Sequence, residues 1–98
     1  MYYIIYRYVL KPGVTFEQVA QWMRSNEAGQ ARWGAVEADF YRRAGGRSPD
    51  FFARYKVKSI DRWCDGLRSQ EAQTMAQSLE ELVEIDRTKS WIFEELPY

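Results

Sequence analysis

The stretch Tyr2-Tyr3-Ile4-Ile5-Tyr6-Arg7-Tyr8-Val9-Leu10 decides the fold. Apart from Arg7, every side chain in it is aromatic or aliphatic, with no alternation of apolar and polar positions. Such a run reads as a strand covered on both faces and central in its sheet. Lys11-Pro12-Gly13 interrupts it, and Thr15 with Gln18 three positions on is a capping-box pattern that opens a helix. Phe16, Val19, Ala20 and Met23 give that helix one buried stripe, which fades around Asn26 to Gln30.

Alternation begins at Trp33 and runs to Arg43, with Val36, Ala38 and Phe40 on one side and Glu37, Asp39 and Tyr41 on the other. A turn at Ala44-Gly45-Gly46-Arg47-Ser48-Pro49-Asp50 leads into a second alternating run, Phe51 to Lys58, so the two strands read as a hairpin. Pairing Asp39 with Lys56 matches Glu37 with Lys58 and Tyr41 with Arg54. It also puts Val36, Ala38, Phe40, Ala53, Tyr55 and Val57 under the helices. Ser59 caps a short helix with Ile60, Trp63, Cys64 and Leu67 inward. A longer helix then buries Ala72, Met75, Ala76, Leu79, Leu82 and Val83, with Glu80, Glu81 and Glu84 on its wet face. Ser90 to Leu96 is a last strand, with Trp91 and Phe93 on one face and Ile92 and Leu96 on the other.

Strand, helix, strand, strand, helix, strand is the ferredoxin-like βαββαβ order: an α+β domain over residues 1–98 with helices on one face of a four-stranded antiparallel sheet. One sheet face is then left bare, although the first strand is apolar on both. A second copy of the chain is the economical cover, so a homodimer through the sheet face is expected.

Composition narrows the function classes. Fourteen basic and fourteen acidic residues cancel, leaving no global field to hold nucleic acid or an anionic membrane. No apolar run approaches the roughly 18 residues of a spanning helix. No signal-peptide pattern opens the chain, and Cys64 is the one cysteine, which fits a reducing, cytoplasmic setting. The chain has no histidine, so haem, zinc and histidine-based triads lose their usual ligand or base. No metal site and no cofactor are expected, and the protein should be colourless.

The residues resemble the dimeric α+β barrel superfamily and, within it, the antibiotic-biosynthesis-monooxygenase-like domains. The resemblance rests on the first strand with Lys11-Pro12-Gly13, on Gly34 opening the second strand, and on Ser59-Ile60-Asp61-Arg62-Trp63 followed by Leu67-Arg68-Ser69-Gln70-Glu71 and a long helix. It implies pairing as a dimeric barrel and a small apolar, aromatic or polyketide-like ligand, oxidised or isomerised without a cofactor. A non-catalytic binding or assembly protein is the alternative. Such domains often carry Glu and Trp two apart on the third strand, where this chain has Tyr55 and Val57. They also often place a histidine near the start of the long helix, where it has Glu71 and Ala72. No set of functional residues therefore carries over.

The candidate pocket residues are Arg7, Tyr55, Tyr6, Trp63 and Trp22, with Tyr8 joining if the first strand turns that face inward. Arg7 is a charge in an apolar strand and needs a partner: Glu94 or Glu95 on the structural reading, a substrate anion on the functional one. Tyrosine hydroxyls suit an aromatic ligand and serve equally as core groups with one satisfied bond. Any turnover would rest on Arg7 stabilising negative charge and Tyr55 relaying a proton. Arg42, Arg43 and Arg47 form a basic hairpin tip, read as a solvated turn.

Overall fold

The computed structural model describes residues 1–98. Strand β1 (Tyr2–Val9) is followed by helices α1 (Phe16–Ser25) and α2 (Glu27–Arg32), then β2 (Ala35–Arg42) and β3 (Asp50–Val57). Helices α3 (Ile60–Leu67) and α4 (Gln70–Leu79), a 3₁₀ turn at Ile85–Arg87 and β4 (Lys89–Glu94) complete the chain. The sheet is antiparallel in the order β2-β3-β1-β4, the ferredoxin-like arrangement, and β1 is hydrogen-bonded along both edges.

Parity in β1 sorts the molecule into two faces. Ile4 and Tyr8 are buried beneath the helices with Ala53, Tyr55 and Val57 of β3. Tyr3, Ile5 and Arg7 lie on the other face, beside Phe93, Trp91 and Lys89 of β4. The helix-side core closes with Val19 and Met23 from α1, Trp63 from α3, and Ala72, Met75 and Leu79 from α4. Each fully buried aliphatic or aromatic side chain contributes about 1.5–3 kcal/mol.

The helix starts follow their caps. Thr15 Oγ1 accepts from Gln18 N at 3.1 Å while Gln18 Oε1 accepts from Thr15 N at 2.8 Å, the reciprocal box read from sequence. Ser59 and Ser69 cap α3 and α4 through the amides of Arg62 and Ala72. The helix ends depart from expectation. Where the apolar stripe faded, a second short helix forms at Glu27–Arg32, held by an ion pair from Arg32 to Glu71 of α4. Helix α4 stops at Leu79 instead of continuing through Val83, so Glu80, Glu81 and Glu84 lie beyond it. The reason is tertiary: Val83 bridges Leu10, and Lys11 N donates to Leu82 O at 3.0 Å. Leu67, expected inward, is 44% exposed.

The hairpin register differs from the expected one by two residues. Asp39 faces Arg54, Glu37 faces Lys56, and Phe40 faces Ala53. A slide of two keeps every side chain on its face, so hydrophobic alternation cannot distinguish the registers. The charges can. In the observed pairing Arg54 meets Asp39, Lys56 Nζ lies 3.4 Å from Glu37, and Arg43 Nε lies 3.0 Å from Asp50 near the turn. The other register leaves Arg54 opposite Tyr41. A bulge between Ala35 and Glu37 also turns Val36 out of the core, 54% exposed, and packs Ala35 against it instead.

Two glycines are required by this packing. Gly34, at φ 100°, turns the chain from α2 into β2 in a conformation that favours glycine. Gly66 lies against the Trp33 ring, and any Cβ there would collide with it. Gly66→Ala should therefore lower stability by about 1–3 kcal/mol through overpacking. Urea unfolding checks this, and an unchanged midpoint would contradict the close approach of α3 to Trp33.

Candidate active site

Between the sheet and the helices lies a cavity of about 190 Å³. Tyr6 and Tyr8 reach it from β1, Tyr55 from β3, Trp63 from α3, and Trp22 from α1; α4 supplies its aliphatic wall with Met75 and Leu79. No charged side chain lines it. Tyr55 and Trp63 form its floor, with ring centroids 4.9 Å apart, and Trp33 packs edge-on against Trp63 at 5.7 Å. Tyr6 and Tyr8 stack at 5.8 Å with their planes 16° apart.

Its polar atoms are few and mostly engaged. Trp63 Nε1 donates to the Tyr6 hydroxyl at 2.9 Å, and Trp22 Nε1 donates to Ser78 Oγ at 2.9 Å. Gln30, 6% exposed on α2, donates through Nε2 to the Tyr55 hydroxyl at 2.9 Å. That hydroxyl donates in turn to Met23 Sδ at 3.4 Å. A thioether can only accept, so the Tyr55 proton points to sulfur and the amide must supply its N–H. Gln30 Oε1 is left sealed with no partner, as is Thr88 Oγ1 on the cavity wall. An orphaned buried acceptor costs roughly 1–3 kcal/mol.

The structure brings together four of the five candidate residues, Tyr6, Tyr55, Trp63 and Trp22, and separates the fifth. Arg7 has odd parity in β1 and stands on the open face, away from the cavity. It has no carboxylate partner: Lys89 lies opposite it, Glu94 lies opposite Tyr2, and Glu95 is within 4.0 Å of the amino terminus. Arg7 Nη2 donates instead to the Arg87 carbonyl at 2.7 Å, and Nε is buried without a partner. A mechanism joining Arg7 to Tyr55 is therefore excluded, because the sheet lies between them. Gln30, Trp33 and Thr88 were missed. Gln30 falls where the first helix's pattern fades, and nothing local marks it as buried.

Burial pushes the Tyr6 hydroxyl pKa up, a rise that the Trp63 hydrogen bond opposes, and it pushes Tyr8 well above the ordinary range. Tyr55 is likewise raised, by burial first and then by the neighbouring Tyr6. All three are proton donors at neutral pH and none is a base. At the start of α4, Ala72 lines the cavity and Glu71 is held below the ordinary carboxylate range by Arg32. No three cysteine, aspartate or glutamate side chains gather as metal ligands.

No protein-family model matches the chain, and no curated protein matches it. Solved structures do. SnoaB, a cofactor-independent oxygenase from Streptomyces nogalater, superposes with a TM-score of 0.75 at 15% identity, covering 99% of this chain and 97% of that one. HapK from Hahella chejuensis gives 0.75 at 13% identity over 100% and 95% of the two chains. An antibiotic biosynthesis monooxygenase gives 0.73 at 10% identity over 99% and 100%. The chain has the α+β fold of the antibiotic-biosynthesis-monooxygenase-like proteins, and at these identities the likeness is one of fold.

The raised tyrosines predict the alkaline behaviour. In the unfolded chain tyrosines ionise near pH 10. The folded protein keeps its protons longer, so stability is unaffected by these groups below about pH 10 and falls above it, each tyrosine adding up to about 1.4 kcal/mol per pH unit. Tyrosinate absorbance should show Tyr8 and Tyr55 ionising only as the protein unfolds, and Tyr6 ionising later than an exposed tyrosine. Free titration of all seven tyrosines in the native protein would contradict the enclosed site.

Proposed function

We propose that the protein binds a small aromatic molecule in the cavity beneath its helices and oxidises it with molecular oxygen, without metal or organic cofactor, as a homodimer. The observation that carries this is the uncharged cavity walled by Tyr6, Tyr8, Tyr55, Trp63, Trp22 and Trp33. Its size suits a bicyclic ring, since cavities of about 150 Å³ already accept benzene. The shared fold with a cofactor-independent oxygenase supports the reaction class. No cavity group is a base, so the substrate must lose its own proton to water. The hydroxyl of Tyr6, fixed by Trp63, then faces the charge that develops as electrons pass to oxygen.

1-Naphthol is a suitable probe. Its conversion to 1,4-naphthoquinone consumes one O₂, places one oxygen atom on the ring and releases the other as water. Labelled oxygen appearing in the quinone, at a rate proportional to protein in metal-free buffer, supports the reading. Binding of 1-naphthol, seen by quenching of tryptophan emission, with no oxygen uptake would favour a non-catalytic ligand-binding protein. That second reading is supported by the absence of a cavity base.

The dimer is supported by the open face. Trp91 and Phe93 are 42% and 51% exposed beside Tyr3 and Ile5. Cations already cover part of the β3 side: Arg54 sits 4.8 Å from the Tyr3 ring centre and Arg43 5.3 Å from that of Phe52. The bare strip is along β1 and β4, where a second sheet can pack. No helix is long and apolar enough to cross a membrane, and a single free cysteine suits a cytoplasmic setting. Light scattering at low micromolar concentration should give twice the 11.7 kDa chain mass. A folded monomer would overturn the dimer.

A further inference from the structure

We infer that Tyr8 is the ligand-reading residue of the cavity, donating its hydroxyl to a neutral acceptor oxygen, such as a ring carbonyl, on the bound molecule. This rests on the reading of the cavity as a ligand site and goes beyond it by naming the group that the site recognises.

The three cavity tyrosines differ in what their hydroxyls already do. Tyr6 accepts from Trp63, and Tyr55 accepts from Gln30 and donates to Met23. Tyr8, 9% exposed, lines the cavity and makes no hydrogen bond within the protein. Its hydroxyl is not among the polar atoms that are sealed without a partner, so it keeps contact with free space, and the free space beside Tyr8 is the cavity. A buried hydroxyl facing an apolar cavity with nothing to bond is a group awaiting a partner.

The partner's chemistry follows from what surrounds Tyr8. Stacking on Tyr6 holds the ring, and the strand register with β3 fixes the backbone that carries it. Burial keeps its proton on, so it donates. No lysine or arginine lines the cavity to offset a negative charge, so a carboxylate or phosphate would be desolvated without compensation. What remains is an uncharged acceptor on a flat apolar body, which a carbonyl on an aromatic bicycle supplies.

Indane and 1-indanone share one bicyclic frame and differ by the carbonyl. The wild-type protein should bind 1-indanone about five-fold more tightly than indane, the factor of one neutral hydrogen bond. The carbonyl stretch of bound 1-indanone should be shifted down relative to an apolar solvent. Tyr8→Phe should remove both the preference and the shift while indane binds as before, and Tyr6→Phe should retain the preference. Equal binding of the two molecules by the wild type, or a preference lost in Tyr6→Phe but kept in Tyr8→Phe, overturns the assignment to Tyr8 and leaves the cavity as a ligand site. If neither molecule binds the wild type, both this assignment and the ligand-site reading fall.

Discussion

Strand β1 is hydrogen-bonded on both edges, and the rest of the molecule is arranged by that constraint. Six of its residues, Tyr2 to Arg7, each face a fixed partner on β3 and another on β4. A strand held on both sides cannot slip by one without moving its whole apolar set to the other face. The consequence is a strict division: Ile4, Tyr6 and Tyr8 serve the helices and the cavity, while Tyr3, Ile5 and Arg7 serve the open face. Arg7 and Tyr6 are chain neighbours that take part in different halves of the protein.

On the helix side, aromatic area does the packing and a few hydrogen bonds fix its orientation. Trp63 is positioned by Trp33 at its edge, Tyr55 at its face and the Tyr6 hydroxyl at its nitrogen. Gln30 then locks Tyr55, whose own proton goes to Met23 sulfur. Each bond uses a donor that would otherwise be stranded in a low-polarity interior. Walls on which the Tyr8 hydroxyl makes no bond within the protein suit recognition better than proton abstraction, because burial holds every cavity tyrosine in its protonated form.

Much of this was legible locally. The capping box at Thr15, the serine cap at Ser59, the central place of β1 and the opposite faces of Trp91 and Ile92 all follow from patterns a few residues long. The hairpin faces were legible too, because alternation alone assigns them. Its register was not: sliding β2 by two residues preserves the alternation, and only the ion pairs of Arg54, Lys56 and Arg43, together with the bulge at Val36, select one pairing.

The sequence by itself determined the order of the strands, the central place of β1 and the exclusion of histidine chemistry, because these depend on residue type and short-range periodicity. Tertiary structure alone decided that α4 stops at Leu79, since its continuation is drawn off to bond Leu10 and Lys11. It alone buried Gln30 against Tyr55 across 25 positions of chain and placed Arg7 beyond reach of the cavity. Those outcomes depend on which strand edges meet and how closely helices approach, as Gly66 lets α3 approach Trp33. Such distances arise between residues far apart in the chain, where no local spacing records them.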